Sequence, residues 1–117
     1  MMRRTARMGL TFLAALVLFG ASALTVGAQG PMEVPLTMEK DKFVPAELKV
    51  KAGQPFVLVL TNKDDITHEL DISKLRIEKK VRAGQTLKIQ MPVLKPGKYE
   101  IEDDDSTPAL KGVMVAE

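Results

Sequence analysis

One short segment combines residue types that bind metal ions. Residues 66–72 read Ile-Thr-His-Glu-Leu-Asp-Ile and contain the only histidine of the chain beside two carboxylates. Successive side chains of a β-strand point to opposite faces. In a strand, His68 therefore shares one face with apolar neighbours, and Glu69 and Asp71 lie side by side on the other. Two adjacent carboxylates form an oxygen-rich arrangement that suits a cation.

The acidic pair has a second interpretation. Like charges on one strand face repel each other unless a cation or a basic side chain compensates them. Basic residues that could do so follow closely, at Arg76, Lys79 and Lys80. The sequence leaves the choice between a metal ion and a salt bridge open.

The first residues have the features of an export signal. Residues 1–28 have three arginines among their first seven residues, continue with an apolar run from Met8 to Phe19, and end in small residues before Gln29, which is typical of a cleaved secretory signal peptide. The alternative is a retained membrane anchor, the one way in which this chain would contact a membrane. Cleavage leaves one small domain, residues 29–117, in the periplasm.

Composition excludes several function classes. The chain has 17 basic and 15 acidic residues, and the signal removes three of the basic ones, so the mature domain is nearly neutral. It lacks the basic stripe with interleaved aromatics that nucleic-acid binding requires. With no cysteine, hydrophobic packing must stabilise the domain without disulfides. No catalytic triad, phosphate loop or paired acid and base is recognisable, so any oxidase activity would need bound copper or a partner protein.

The remaining pattern predicts strands. Apolar residues alternate at Val34, Leu36 and Met38, and residues 56–60 are apolar throughout, which is typical of a central strand covered on both faces. Such segments recur about every ten residues, and turns rich in Gly and Pro lie between them. We therefore predict an all-β fold, a single antiparallel Greek-key β-sandwich.

Three single residues refine this prediction. Phe43 is expected to fill the core, and Pro45 to interrupt a strand ladder because it has no N–H to donate. Tyr99 follows the turn Lys95-Pro96-Gly97-Lys98. This arrangement predicts a tyrosine corner, in which the phenol hydrogen-bonds to nearby backbone.

The ordered set of these features resembles cupredoxin-like domains over essentially the whole of residues 29–117. The motifs that carry the resemblance are Phe43-x-Pro45, Leu48-x-Val50-x-Ala52-Gly53, the apolar strand ending in Asn62, His68, Ala83-Gly84, Leu94-x-Pro96-Gly97-x-Tyr99 and Gly112-x-Met114-Val115.

The resemblance implies a changed ligand set. In blue-copper members, a first His is joined by Cys, His and Met from the last loop. His68 matches the first position, but Asp103 stands where Cys is expected, Pro108 near the second His and Leu110 where Met would be. A blue-copper centre requires a thiolate, so simple blue-copper electron transfer is disfavoured.

A narrower resemblance concerns residues 69–79. This run is similar to the acidic strand followed by Leu-Arg-x-Glu-Lys in EfeO-type cupredoxin-like proteins of bacterial high-affinity iron uptake. It implies a periplasmic protein that works beside a membrane iron permease and a companion periplasmic protein. Asp104 stands at a position that is commonly acidic in this group, whereas Asp105, Ser106 and Thr107 depart from its pattern.

In such a fold the loop before His68 and the loop after Ile101 lie at one end. The resemblance thus implies that carboxylates converge there on iron, on copper or on both. The predicted metal ligands are His68, Glu69, Asp71, Asp103 and Asp104. Composition alone would also fit a solvated charged loop at residues 103–105.

Two other functions remain open at this point. The chain could deliver or sequester copper through His68 and the sulfur of Met38 or Met91, although alternating methionines also suit a core. It could instead be a metal-free interaction module that docks a basic partner through its acidic end. His68 itself could be a ligand, a hydrogen-bonded core residue or an exposed one.

Overall fold

The computed structural model describes residues 30–117, which fold into strands and a single short 3-10 turn, Ser73–Leu75. The signal peptide predicted for residues 1–28 lies outside this range. The strands are β1 Met32–Glu39, β2 Lys42–Val44, β3 Glu47–Val50, β4 Phe56–Asn62, β5 His68–Ile72, β6 Ile77–Val81, β7 Thr86–Met91, β8 Gly97–Asp103 and β9 Leu110–Ala116. No helix between residues 30 and 117 is long and apolar enough to cross a membrane.

The strands form two sheets, which confirms the predicted all-β sandwich. The first sheet has the order β2-β1-β4-β7, and the second has the order β3-β9-β8-β5-β6. The prediction of purely antiparallel pairing is wrong, because β1 pairs with β4 in parallel and β3 pairs with β9 in parallel. The chain changes sheets between β2 and β3, where Pro45 cannot donate to a ladder.

The core follows the alternation seen in the sequence. Val34, Leu36 and Met38 of β1 are buried, and β4 is buried on both faces over most of its length. Phe43 is 3% exposed, as expected of a core residue. Met38 and Met91 also belong to the hydrophobic core, which favours their interpretation as packing residues.

The tyrosine corner is confirmed. Tyr99 is buried, and its hydroxyl donates a 2.8 Å hydrogen bond to the carbonyl oxygen of Lys95. The Lys74 ammonium lies 4.9 Å from the centre of the same ring. The bond closes the turn that leads into β8, the strand that ends at Asp103.

We expect Tyr99→Phe to lower the free energy of unfolding by about 1 kcal/mol, because a partly buried hydrogen bond is lost while packing is kept. Urea denaturation followed by circular dichroism measures the change. An unchanged midpoint would contradict a stabilising role for this bond.

Candidate functional site

His68 is the first residue of β5 and is completely buried. Leu70 and Ile72 share its inward face and are also buried, whereas Glu69 and Asp71 are partly exposed on the outward face. The predicted alternation is thus correct. The histidine and the acidic pair therefore lie on opposite faces of the strand.

Both ring nitrogens of His68 face carboxylate oxygens. Nδ1 lies 2.6 Å from Oδ2 of Asp103, and Nε2 lies 2.8 Å from Oδ2 of Asp64. Ser106 donates a 2.8 Å hydrogen bond to the same Asp103 oxygen, and its Oγ lies 3.2 Å from Nδ1. Within residues 30–117 every buried side-chain nitrogen and oxygen has a hydrogen-bond partner.

Asn62 shapes the loop that carries Asp64. This completely buried residue ends β4. Its amide group donates to the carbonyl oxygens of Ile66 and Val81 at 2.7 and 2.9 Å, and its Oδ1 accepts a 2.9 Å bond from the Asp64 N–H. The loop is therefore fixed at both ends, which aims the Asp64 carboxylate inward at the histidine.

The same carboxylate holds the turn between β1 and β2. Lys40 and Asp41 have φ values of 53° and 55°, a left-handed conformation that costs a residue with a Cβ atom about 1 kcal/mol. Their N–H groups donate to Asp64 at 2.7 and 3.1 Å. Two hydrogen bonds to a charged acceptor offset this strain.

Asp103 is completely buried at the end of β8. Its Oδ1 accepts a 3.1 Å bond from the N–H of Asp105, and its Oδ2 binds the histidine and Ser106. Asp103 thereby organises the loop between β8 and β9 around the ring. The expectation that this loop and the loop before His68 meet at one end of the sandwich is correct.

The ionisation of the cluster follows from these contacts. Burial by itself lowers the pKa of His68, but the hydrogen bonds and negative charges of Asp64 and Asp103 outweigh it and raise that pKa above its ordinary value. Burial by itself raises the pKa of Asp64. The bonds from His68 and from the two turn N–H groups outweigh it, so the net pKa of Asp64 is lowered.

The residues present do not fit a blue-copper ion. Asp103 occupies the position expected for Cys and is hydrogen-bonded to His68, and cysteine is absent from the entire sequence. Pro108 is exposed and offers no side-chain donor, and Leu110 is a buried core residue. A site without thiolate or second imidazole cannot form that centre.

A different donor set lies around His68. Ligand atoms of Asp41, Asp64 and His68 all lie within 4.8 Å of one another. Asp41 is exposed, Asp64 is partly buried and His68 is buried. Two carboxylates and one imidazole are donors that suit iron, manganese or copper(II).

The other predicted site residues lie on the outward face of the second sheet or in the adjoining loop. Asp71 is directly opposite Glu78 of β6 and Glu102 of β8. Glu69 is directly opposite Lys80, one of the basic residues expected to compensate it. The structure therefore brings His68 and Asp103 together and leaves Glu69, Asp71 and Asp104 outside this contact.

The outward face is rich in negative charge. The carboxyl of Asp105, a hydrogen-bond partner when one of the two groups is protonated, raises the pKa of Glu69. The negative charge of Asp104, an exposed residue, raises the pKa of Glu102. Neighbouring carboxyl groups thus raise both pKa values, through a shared hydrogen bond at Glu69 and through repulsion at Glu102.

Sequence reasoning missed Asp41, Asp64 and Ser106. A signal existed for Asp64, because it lies four residues before His68 in a short charged loop. None existed for Asp41, since its position depends on a turn in which two residues with side chains adopt positive φ.

We expect the metal-free protein to be most stable between about pH 4 and 6.5. The raised pKa of His68 contributes stability below its ordinary value of 6.5, which is lost as pH rises through the folded value. The lowered pKa of Asp64 contributes stability above 3.8, which is lost as pH falls through the folded value. Urea denaturation from pH 3 to 9 in the presence of chelator measures this profile.

His68→Gln is the control, because the chain has one histidine. The variant should lose the decline in stability above pH 6.5. A wild-type free energy of unfolding that stays flat or rises from pH 6 to 9 would contradict the ion-paired imidazole.

Known proteins resemble this chain in sequence and in fold. The profile of the cupredoxin-like domain family matches residues 9–116. An uncharacterized protein of Rickettsia prowazekii is 33% identical over 84 residues, which cover 72% of this chain and 67% of the relative.

Two solved structures show the same fold at low identity. The metal-binding domain of the copper(I)-exporting P-type ATPase CopA from Streptococcus pneumoniae, solved with copper(I), has a TM-score of 0.61 and 15% identity, covering 73% of this chain and 84% of that domain. Auracyanin A, a blue copper protein of Chloroflexus aurantiacus, also has a TM-score of 0.61 and 15% identity, with 75% and 100% covered. The chain described here belongs to the cupredoxin-like domain family.

Proposed function

We propose that this protein is a periplasmic metal-binding protein that holds iron or passes it to a membrane iron permease; oxidation of that iron would need bound copper or a partner protein to accept the electron. One observation carries the metal-binding part. The single histidine is buried between two carboxylates, at 2.6 and 2.8 Å, and the family resemblance matches it to the first ligand of blue-copper proteins.

The donor types favour a hard or borderline metal. Carboxylate oxygen replaces the soft thiolate at position 103, and Asp64 adds a second carboxylate beside the ring. Oxygen ligands with one imidazole suit iron, manganese and copper(II) better than copper(I). The relatives described above include copper proteins, and this change of donors supports a different metal here.

The iron-uptake role rests on the resemblance of residues 69–79 to the EfeO-type proteins. The signal peptide predicted for residues 1–28 is consistent with the same compartment. The permease and the companion periplasmic protein follow from that resemblance as proposed partners. A permease gene beside the gene of this protein would add independent support.

Copper(I) delivery is the less favoured metal function. It would use methionine sulfur, but Met38 and Met91 are 0% and 4% exposed and pack in the hydrophobic core. Neither thioether is available at the surface of the described domain to accept or release a copper ion.

A metal-free interaction module is the second candidate. Two observations favour it: every polar atom of the His68 ring already has a partner, and Glu78, Asp71 and Glu102 lie opposite one another across three strands. In this alternative the imidazolium is structural and the acidic face docks a basic partner.

Titration of the mature protein with Fe²⁺ under argon, and with Cu²⁺, tests the proposal by calorimetry. We expect binding of one ion per chain, tighter than millimolar, because a preformed cluster of carboxylates and imidazole loses little entropy on binding. His68→Gln should abolish it. Glu33→Gln, which alters only an exposed ion pair with Lys88, is the matched control and should bind normally.

Failure of both metals to bind more tightly than millimolar would rule out the metal function. The interaction module then predicts that chelator leaves stability unchanged and that binding to a basic partner weakens steeply with salt. For the uptake role, deletion of the gene should lower iron accumulation under iron limitation, and accumulation equal to that of the parent strain would contradict it.

A further inference from the structure

The two nitrogens of His68 face different parts of the molecule. Nδ1 points at Asp103 and Ser106, at the end of β8 and in the loop after it, where the family resemblance places the remaining copper ligands. Nε2 points the other way, toward Asp64 and the turn between β1 and β2. A metal ion could therefore bind at Nε2, on the side of the ring that faces away from the copper-ligand positions implied by the family resemblance.

The contact on the Nε2 side accommodates either a hydrogen or a cation. Two lone pairs cannot face each other at 2.8 Å, so Nε2 either carries a hydrogen that it donates to Asp64 or, without that hydrogen, shares a cation with the carboxylate. Two donors bound at a right angle to one metal, each at 2.0–2.2 Å, lie roughly 2.8–3.1 Å apart. The observed separation suits both occupants.

Asp103 prepares the ring for a cation. When a metal ion replaces the hydrogen of Nε2, Nδ1 keeps the other hydrogen, because the Asp103 carboxylate accepts it at 2.6 Å. A carboxylate on the far nitrogen of a histidine ligand is a common arrangement in metal proteins, where it fixes the tautomer and raises the basicity of the ligand. Asp103 is thus placed to orient His68.

Asp41 completes the donor set from the solvent side. Its backbone N–H is bound to Asp64, which holds the turn beside the histidine. Its carboxylate lies with the other two donors within 4.8 Å and is exposed. An ion would meet an exposed, a partly buried and a buried ligand in turn, which gives the site an entry path.

We propose that Asp41, Asp64 and Nε2 of His68 form the metal site, that it takes a divalent first-row cation such as Fe²⁺ or Mn²⁺, and that Asp103 is a positioning residue. This inference rests on the proposed metal-binding function and gives it a location. Glu69, Asp71 and Asp104 are not ligands of this site. The coordination positions on the solvent side remain for water or for a donor from a partner protein, as release to a permease requires.

The test uses the full mature protein with Zn²⁺ as a diamagnetic probe and Fe²⁺ under argon. Long-range ¹H–¹⁵N spectra distinguish the nitrogens of the single histidine. We expect Zn²⁺ to shift Nε2 to the position of a metal-bound nitrogen while Nδ1 stays protonated. A metal-bound Nδ1 would overturn the proposal.

Variants locate the carboxylates by calorimetry. Asp41→Asn keeps the turn N–H and should weaken Fe²⁺ binding by about tenfold or more, as should Asp64→Asn. Asp71→Asn on the outward face is the matched control and should bind within about twofold of wild type. Urea denaturation identifies loss of fold, and Asp41→Asn keeps the test valid if Asp64→Asn does not fold.

Asp103→Asn separates positioning from packing. We expect binding weakened by about 10- to 100-fold and a shifted Nδ1 signal in the zinc-bound spectrum, which a packing role alone would not produce. Metal binding that survives both Asp41→Asn and Asp64→Asn but falls in Asp71→Asn would overturn this site and leave the metal function intact. Absence of any metal binding would overturn both.

Discussion

A buried imidazole between two carboxylates is the interaction on which the rest of this end of the molecule depends. Burying a charge is costly unless it is paired and hydrogen-bonded, and two carboxylates around one imidazolium leave a net negative charge inside the fold. Backbone N–H groups stabilise this negative charge by hydrogen bonds. Those of Lys40 and Asp41 donate to Asp64, and that of Asp105 donates to Asp103. Three separate loops are thereby tied to one side chain.

Strand β5 gives its two faces different chemistry. Inward, His68 joins the core residues Leu70 and Ile72, and outward, Glu69 and Asp71 join a row of carboxylates. In the sequence, the histidine and the two carboxylates form one motif because they are close together in the chain. The pleat of the strand makes them two surfaces, and the acidic partners of the histidine come from other loops.

The sequence predicted what depends on local pattern. Alternation at Val34, Leu36 and Met38 identified a half-buried strand, and the position of Tyr99 after a Pro-Gly turn identified the corner bond. Parallel pairing and the position of Asp41 could not be predicted, because they depend on how distant segments close on each other. Asp103 was predicted to lie near His68 as a metal ligand. Residue spacing could not predict that it would instead hydrogen-bond to Nδ1, because that contact depends on how the two side chains are oriented in the fold.

The parallel pairings of β1 with β4 and of β3 with β9 have a kinetic consequence. Contacts between segments far apart in the chain must form against loop-closure entropy, so folds dominated by such contacts fold slowly. The residues of the proposed site, Asp41, Asp64 and His68, and the positioning residue Asp103 come together only when both sheets have closed. A metal ion would therefore bind to the folded protein and not to a folding intermediate. It would prolong the lifetime of the folded state by slowing unfolding, with little effect on the rate at which the chain folds.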